Sequence, residues 1–213
     1  MPMIITFQGL EFIKAQTGDV VVAFNPIGKD SSFKNSRFGS DLALVSLAHK
    51  DFNGVDQLTY KEKAPFVISG PGEYEVKEIF VKGYGTNSKY GGKDHINTIY
   101  SVKFDEINFC HLGALANIDQ VTSEIIEGLG DIDILFVPIG GGDVLEAAEA
   151  YKIATKLAPR IIIPIHYDDS AKKQVDAFLK NAGADVAPID KLTIKKKDIL
   201  EKEGEIVLLK SQA

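Results

Sequence analysis

Residues 42–46 read Leu-Ala-Leu-Val-Ser, an apolar run with no polar alternation. A strand of that kind is covered on both faces, so the chain must sandwich this sheet between another sheet layer and a helix. The run leads straight into Leu47-Ala48-His49-Lys50-Asp51-Phe52, and the ends of such strands are where layered α/β folds collect their ligand-binding loops. One imidazole and one carboxylate, two residues apart, therefore stand where chemistry is expected. Apolar Leu47 and Phe52 flank them.

A chain of 213 residues is long enough for a full core, and we read 1–213 as a single domain. The net charge of -6, with both signs spread along the chain, argues against a nucleic-acid binder, which needs a basic face. Lys195-Lys196-Lys197 sits beside Asp198, Glu201 and Glu203 and reads as a solvated surface. Cys110 is the single cysteine; it allows no intrachain disulfide and fits a reducing compartment. Neither a basic segment followed by an apolar leader nor an apolar run near membrane-spanning length is found, so the expectation is a soluble, cytoplasmic protein without membrane partners.

Along the chain, residues 4–7 and 20–24 predict antiparallel strands, separated by Gly9 and Thr17-Gly18-Asp19. Residues 25–39 are turn chemistry, a surface loop placed to cover the site. Strand character returns at 66–76 and 79–81 around the forced turn Gly70-Pro71-Gly72. Residues 82–94 read as a further loop, followed by His95. Residues 97–104 and 107–111 predict a hairpin. Ile118, Val121, Ile125 and Leu129 fall at helical spacing with Gly130 as the stop. A buried strand, 133–139, precedes Gly140-Gly141-Gly142 and Asp143; the glycines lack the spacing of a nucleotide cradle, and Asp143 reads as a helix N-cap. Val144 to Ala158 carry a second helical pattern, closed by Pro159. Residues 160–165 form another buried strand, with His166 directly beyond its end. Ser170 is read as the cap of a third helix that Gly183 terminates, and 190–194 and 205–209 as closing strands.

Several strings resemble the metallo-β-lactamase superfamily. Leu47-x-His49-x-Asp51-Phe52 matches the frame of His-x-His-x-Asp-His, Cys110-His111-Leu112-Gly113-Ala114-Leu115 that of Cys-His-Leu-Gly-Asp-Leu, and Pro164-Ile165-His166-Tyr167 the last metal-ligand motif, intact. Gly70-Pro71-Gly72-Glu73-Tyr74-Glu75-Val76 looks like a stretch of a small branch of Zn-dependent hydrolases. The resemblance implies a four-layer αββα sandwich, two mixed sheets packed face to face with outer helices. It puts one ion of a two-ion centre at Leu47, His49 and a loop position near Asn87 or Ser88. The second falls at Asp51, Phe52 and His166, with Ala114 in place of the bridging aspartate. Gly9-Leu10-Glu11 and Asn25-Pro26 stand where the family has Gly-His-Ser and Asp-Pro. A homo-oligomer is the expectation of the class.

A catalytic zinc ordinarily takes three protein ligands and a water, and neither matched site has that set. The reading is a hydrolase-like fold with a depleted metal centre, acting as a catalytically silent binding or assembly scaffold. The competing reading keeps one divalent ion, zinc first, on His49, Asp51 and His166, with His111 or His95 as a further contact. Asp51 would then orient the water that attacks a phosphoester, ester or lactone bond. Glu11, Glu73, Asp143 and Asp168 are the carboxylates available to replace lost ligands. The structural alternative for the polar survivors is a buried remnant in which His and Asp satisfy each other. In that alternative His111 is a strand-end histidine, and Cys110 is a small core residue.

Overall fold

Along Met3–Phe7 buried and half-buried side chains alternate, as they do in a strand with one face on a core. In this computed structural model, which describes residues 1–61, 64–167 and 172–213, that segment is β1 of a six-stranded sheet. The others are β2 (Ile13–Thr17), β3 (Val20–Phe24), β4 (Leu42–Leu44), β5 (Phe66–Ile68) and, from the far end of the chain, β12 (Leu192–Ile194). Their order is β12-β1-β2-β3-β4-β5, antiparallel up to β3 and parallel from β3 to β5. A seven-stranded sheet takes β6 (Gly72–Val76), β7 (Ile79–Ser88), β8 (His95–Phe104), β9 (Ile107–His111), β10 (Ile134–Pro138), β11 (Ile161–Ile165) and β13 (Glu205–Ile206). Its order is β13-β11-β10-β9-β8-β7-β6, parallel from β13 to β9 and antiparallel beyond.

The two sheets close on one apolar layer. Phe7, Phe24 and Leu44 from the first meet Phe109, Phe136 and Ile163 from the second. Phe109 and Phe136 stack at 6.1 Å and Phe24 tilts onto Phe136 at 5.7 Å. Each such buried phenylalanine contributes about 1.5–3 kcal/mol. On the outer face of the second sheet lie α1 (Ser123–Leu129), α2 (Ala147–Leu157) and α3 (Lys172–Ala182), gathered around Leu135, Val137, Ile153 and Phe178. The outer face of the first sheet buries Phe12, Ala23, Ile27 and Ala43 against Leu58 of the 3-10 turn Val55–Leu58. Among the described residues no helix is long and apolar enough to cross a membrane.

Some local expectations give way. β2 lies in a stretch with no strand expectation, since Lys14, Ala15 and Gln16 carry little strand propensity and owe their place to pairing on both sides. Residues 82–88 continue β7 instead of looping. Their glycines mark close packing: a Cβ on Gly83 would stand 3.0 Å from the carbonyl of Gly70. The first helix begins at Ser123 under a Thr122 cap, with only a 3-10 turn at Ile118–Gln120. The second begins at Ala147, not at Val144, and Asp143 does not cap it. Lys196, in the short helix α4 (Lys196–Ile199), reaches buried Asp133 at 2.5 Å, so the basic run is not wholly solvated. Ser170 lies outside the described residues.

After β9 the chain turns at Gly113 with φ +59°, and a Cβ there would stand 2.3 Å from Asn97 Oδ1 and 2.7 Å from Ser46. Asn97 cannot yield, because Oδ1 accepts the Ala114 amide while Nδ2 donates to Thr86 and to the Leu112 carbonyl. Gly113→Ala is therefore expected to cost about 2–4 kcal/mol, read as a lowered urea midpoint; a loss under about 0.5 kcal/mol would contradict this packing.

Candidate functional site

Seven chain segments meet at one edge of the sandwich: the turn after β1, the end of β3, the loop after β4, the β7–β8 connection, and the ends of β9, β10 and β11. Three non-glycine residues there, Leu10, Asn25 and His166, adopt positive φ of 53°, 47° and 63°. Backbone strain of this kind survives only where surrounding contacts hold it. Here the contacts are identifiable. The His166 amide donates to the Leu10 carbonyl, and Asn25 N to that of Leu44.

Glu11 is fully buried. Its Oε1 lies 2.7 Å from His166 Nδ1 and its Oε2 accepts from Asn25 Nδ2 at 2.9 Å. Asn25 Oδ1 in turn accepts the Ser46 amide at 2.8 Å and the Ser46 hydroxyl at 2.9 Å. On the other side His111 Nδ1 accepts the Gly113 amide at 3.0 Å, which puts the ring proton on Nε2, 3.3 Å from the Glu11 carbonyl. The His111 ring stacks on Phe24 at 5.5 Å. Burial holds its pKa below the ordinary 6.5, partly offset by Glu11.

A second network centres on Asp51. Ser31 Oγ donates to Oδ1 at 2.6 Å, Tyr90 OH donates to Oδ2 at 3.1 Å, and His49 Nδ1 lies 3.4 Å from Oδ2. Burial, and then the Asp51 carboxylate, push the Tyr90 phenol well above its ordinary range, so it remains a donor. Its ring meets Phe52 edge-on at 4.8 Å, His49 at 5.0 Å and His166 at 5.7 Å. Leu47, Phe52, Tyr90, Ala114 and Val144 form a buried cluster of their own.

His49 and Asp51 are thus together, while His166 is paired with Glu11, and the rings of Phe52 and Tyr90 contact His49 on one side and His166 on the other. Both ring nitrogens of His111 face backbone groups. Among the described residues no three His, Cys, Asp or Glu side chains converge on a point that could hold an ion. The donor set does not fit a two-ion centre: apolar carbon stands at Leu47, Phe52 and Ala114, and Tyr90 fills the space between the surviving imidazoles. Of the replacement carboxylates, Glu11 does enter the site. Glu73 pairs with Lys82 at the surface and Asp143 accepts the Gly91 amide at 2.9 Å; Asp168 lies outside the described residues. Burial pushes the Cys110 thiol far up, as suits a core residue. Tyr90, Ser31 and Ser46 had no sequence signal beyond a lone tyrosine in a polar run and serines near a strand end.

Two mixed sheets packed face to face, with helices outside and a His/Asp cluster at the strand ends, define the fold of the metal-dependent hydrolases. The chain belongs to the β-lactamase superfamily, whose domain model matches residues 5–166. A UPF0173 metal-dependent hydrolase of Pyrococcus furiosus is 28% identical over 176 residues, 70% of this chain and 76% of that one. A second P. furiosus UPF0173 protein is 37% identical over 51 residues, so the match spans 24% of either chain. A Thermotoga maritima member of the metallo-β-lactamase superfamily, assigned as a Zn-dependent hydrolase, superposes with a TM-score of 0.77 at 26% identity, over 99% of this chain and 100% of that one. Igni18, a metallo hydrolase of Ignicoccus hospitalis, shares the fold at a TM-score of 0.63 and 17% identity, over 92% and 99% of the two chains.

Two outcomes follow. Glu11→Ala orphans both His166 and Asn25 and is expected to lower unfolding free energy by about 2–4 kcal/mol in urea titrations, with Glu11→Gln milder. Because His111 is harder to protonate in the folded chain than in the unfolded one, its contribution is complete above pH 6.5 and declines as pH falls from 6.5 towards the depressed folded pKa. Midpoints measured across that window should fall less steeply for His111→Gln than for the parent; parallel curves would contradict the assignment.

Proposed function

We propose that this chain is a superfamily member that has given up two-ion hydrolysis and uses the scaffold for binding or assembly. The observation that carries the reading is Tyr90, with its hydroxyl on Asp51 and its ring packed among Phe52, His49 and His166. Ion-assisted hydrolysis requires imidazoles and carboxylates aimed at a shared, water-accessible point. Seating ions here would mean expelling two buried aromatic rings, at about 1.5–3 kcal/mol each, and parting His166 from Glu11. The apolar cluster also excludes the attacking water.

A second reading is favoured by the contact between His49 and Asp51 and by relatives named as metal-dependent hydrolases. One divalent ion would be held by His49, Asp51 and His166, with Asp51 orienting water for hydrolysis of a phosphoester, ester or lactone. It needs Tyr90 to swing out and His166 to leave Glu11. Elemental analysis of protein purified without added metal separates the two. The scaffold reading expects far less than one zinc, manganese or iron per chain; a near-stoichiometric ion, lost in His166→Ala, overturns it in favour of the hydrolase.

A further inference from the structure

At the end of the second sheet remote from the site edge, where the parallel strands β10 and β11 begin, lies a cleft of about 580 Å³. That volume suits a small organic molecule. Ile132, Leu157 and Ile162 give it a buried apolar wall, and half-buried Tyr151 joins them, its ring edge-on to Phe178 at 6.1 Å. Two cations line the cleft, and both are committed. Arg160 Nε lies 3.6 Å from the buried Asp133 carboxylate and Nη1 donates to the Leu200 carbonyl at 2.9 Å, while Lys202 pairs with Glu205. The two lining carboxylates are not. Asp131 and Glu203 are exposed, and their side chains have no hydrogen bond or ion pair among the described residues. Helices α1 and α2 both end on the cleft, at Gly130 and Ala158, and helix C-termini carry partial negative charge.

We propose that this cleft binds an organic cation, an ammonium or guanidinium group carried on an aromatic or aliphatic body. The body covers the apolar wall, and the charged head meets the two uncommitted carboxylates and the negative ends of two helices. Tyr151 contributes a ring whose face attracts cations. An anion of the same size would meet those carboxylates and helix ends unfavourably, and the lining cations are already turned to Asp133 and Glu205. Charge therefore selects the occupant, while the apolar wall holds it. The cleft shares no residue with the site edge, so the inference stands whether that edge is a silent scaffold or holds a catalytic ion.

The test is titration of the full-length chain with phenethylamine, phenethyl alcohol and hydrocinnamate, followed through its backbone amides by heteronuclear NMR. The three probes share one body and differ in the charge of the tail. Phenethylamine is expected to shift the amides around Gly130, Ala158 and Gly204, to bind about tenfold tighter than hydrocinnamate, and to weaken as NaCl rises. Asp131→Asn and Glu203→Gln should each weaken phenethylamine about threefold and leave the alcohol unchanged, a split that a structural defect would not give. Both side chains are exposed and unpartnered, so the variants should keep the parent urea midpoint. Equal affinity for the three probes overturns the proposal, as does phenethylamine binding that neither variant weakens. Absence of any shift at millimolar phenethylamine overturns it too. Shifts confined to residues 49–52 and 90–92 would seat the amine at the site edge and equally contradict the cleft.

Discussion

The buried chain of hydrogen bonds from His166 through Glu11 and Asn25 to Ser46 holds the site edge of this molecule together. Each member comes from a different strand end; Glu11, Asn25 and Ser46 are buried and His166 is partly so. A buried polar group without a partner costs about 1–3 kcal/mol, so removing any one of the four leaves its neighbour's polar atoms unpaired. The set also explains the local backbone. Asn25 and His166 sit at positive φ because the polar chain and the Leu10 carbonyl secure them there. The interaction consumes the one histidine whose motif is intact.

Around that chain the site is closed with carbon. In a fold whose strand ends would otherwise gather imidazoles around cations, Leu47, Phe52, Ala114 and Val144 pack against Tyr90 as a small satellite core. Aromatic rings in edge-on contact at 4.8 Å gain both burial and quadrupole attraction. Tyr90 serves twice, because its hydroxyl also donates to the Asp51 carboxylate. Ser31, from the long loop before β4, satisfies the other carboxylate oxygen. Both carboxylate oxygens of Asp51 are thus engaged by the protein's own hydroxyls.

Much of the architecture was legible in the chain. The apolar run at 42–46, the Gly70-Pro71-Gly72 turn and the strand-to-His166 junction place the two sheets and the site edge, and the family resemblance orders them. The apolar or small residues at Leu47, Phe52 and Ala114, read from the motif frames, lie together in one buried cluster. What was not legible depends on contacts distant in sequence. Glu11 could be named as a candidate carboxylate, but its partner lies 155 residues away. Tyr90 looked like part of a polar loop, because glycines at 83 and 85 mimic turn chemistry where they in fact permit close strand packing. β2 was hidden for the same kind of reason: its residues are strand-forming only by virtue of their neighbours.

The central claim is that protein side chains occupy the space a catalytic ion would need. Anomalous diffraction at the zinc edge, from crystals grown with excess zinc, addresses it most directly. The account expects no anomalous peak between Phe52 and His166, with the Tyr90 hydroxyl on Asp51 and Glu11 still bonded to His166. A peak bonded to both Asp51 and His166, with the Tyr90 ring displaced, would contradict it.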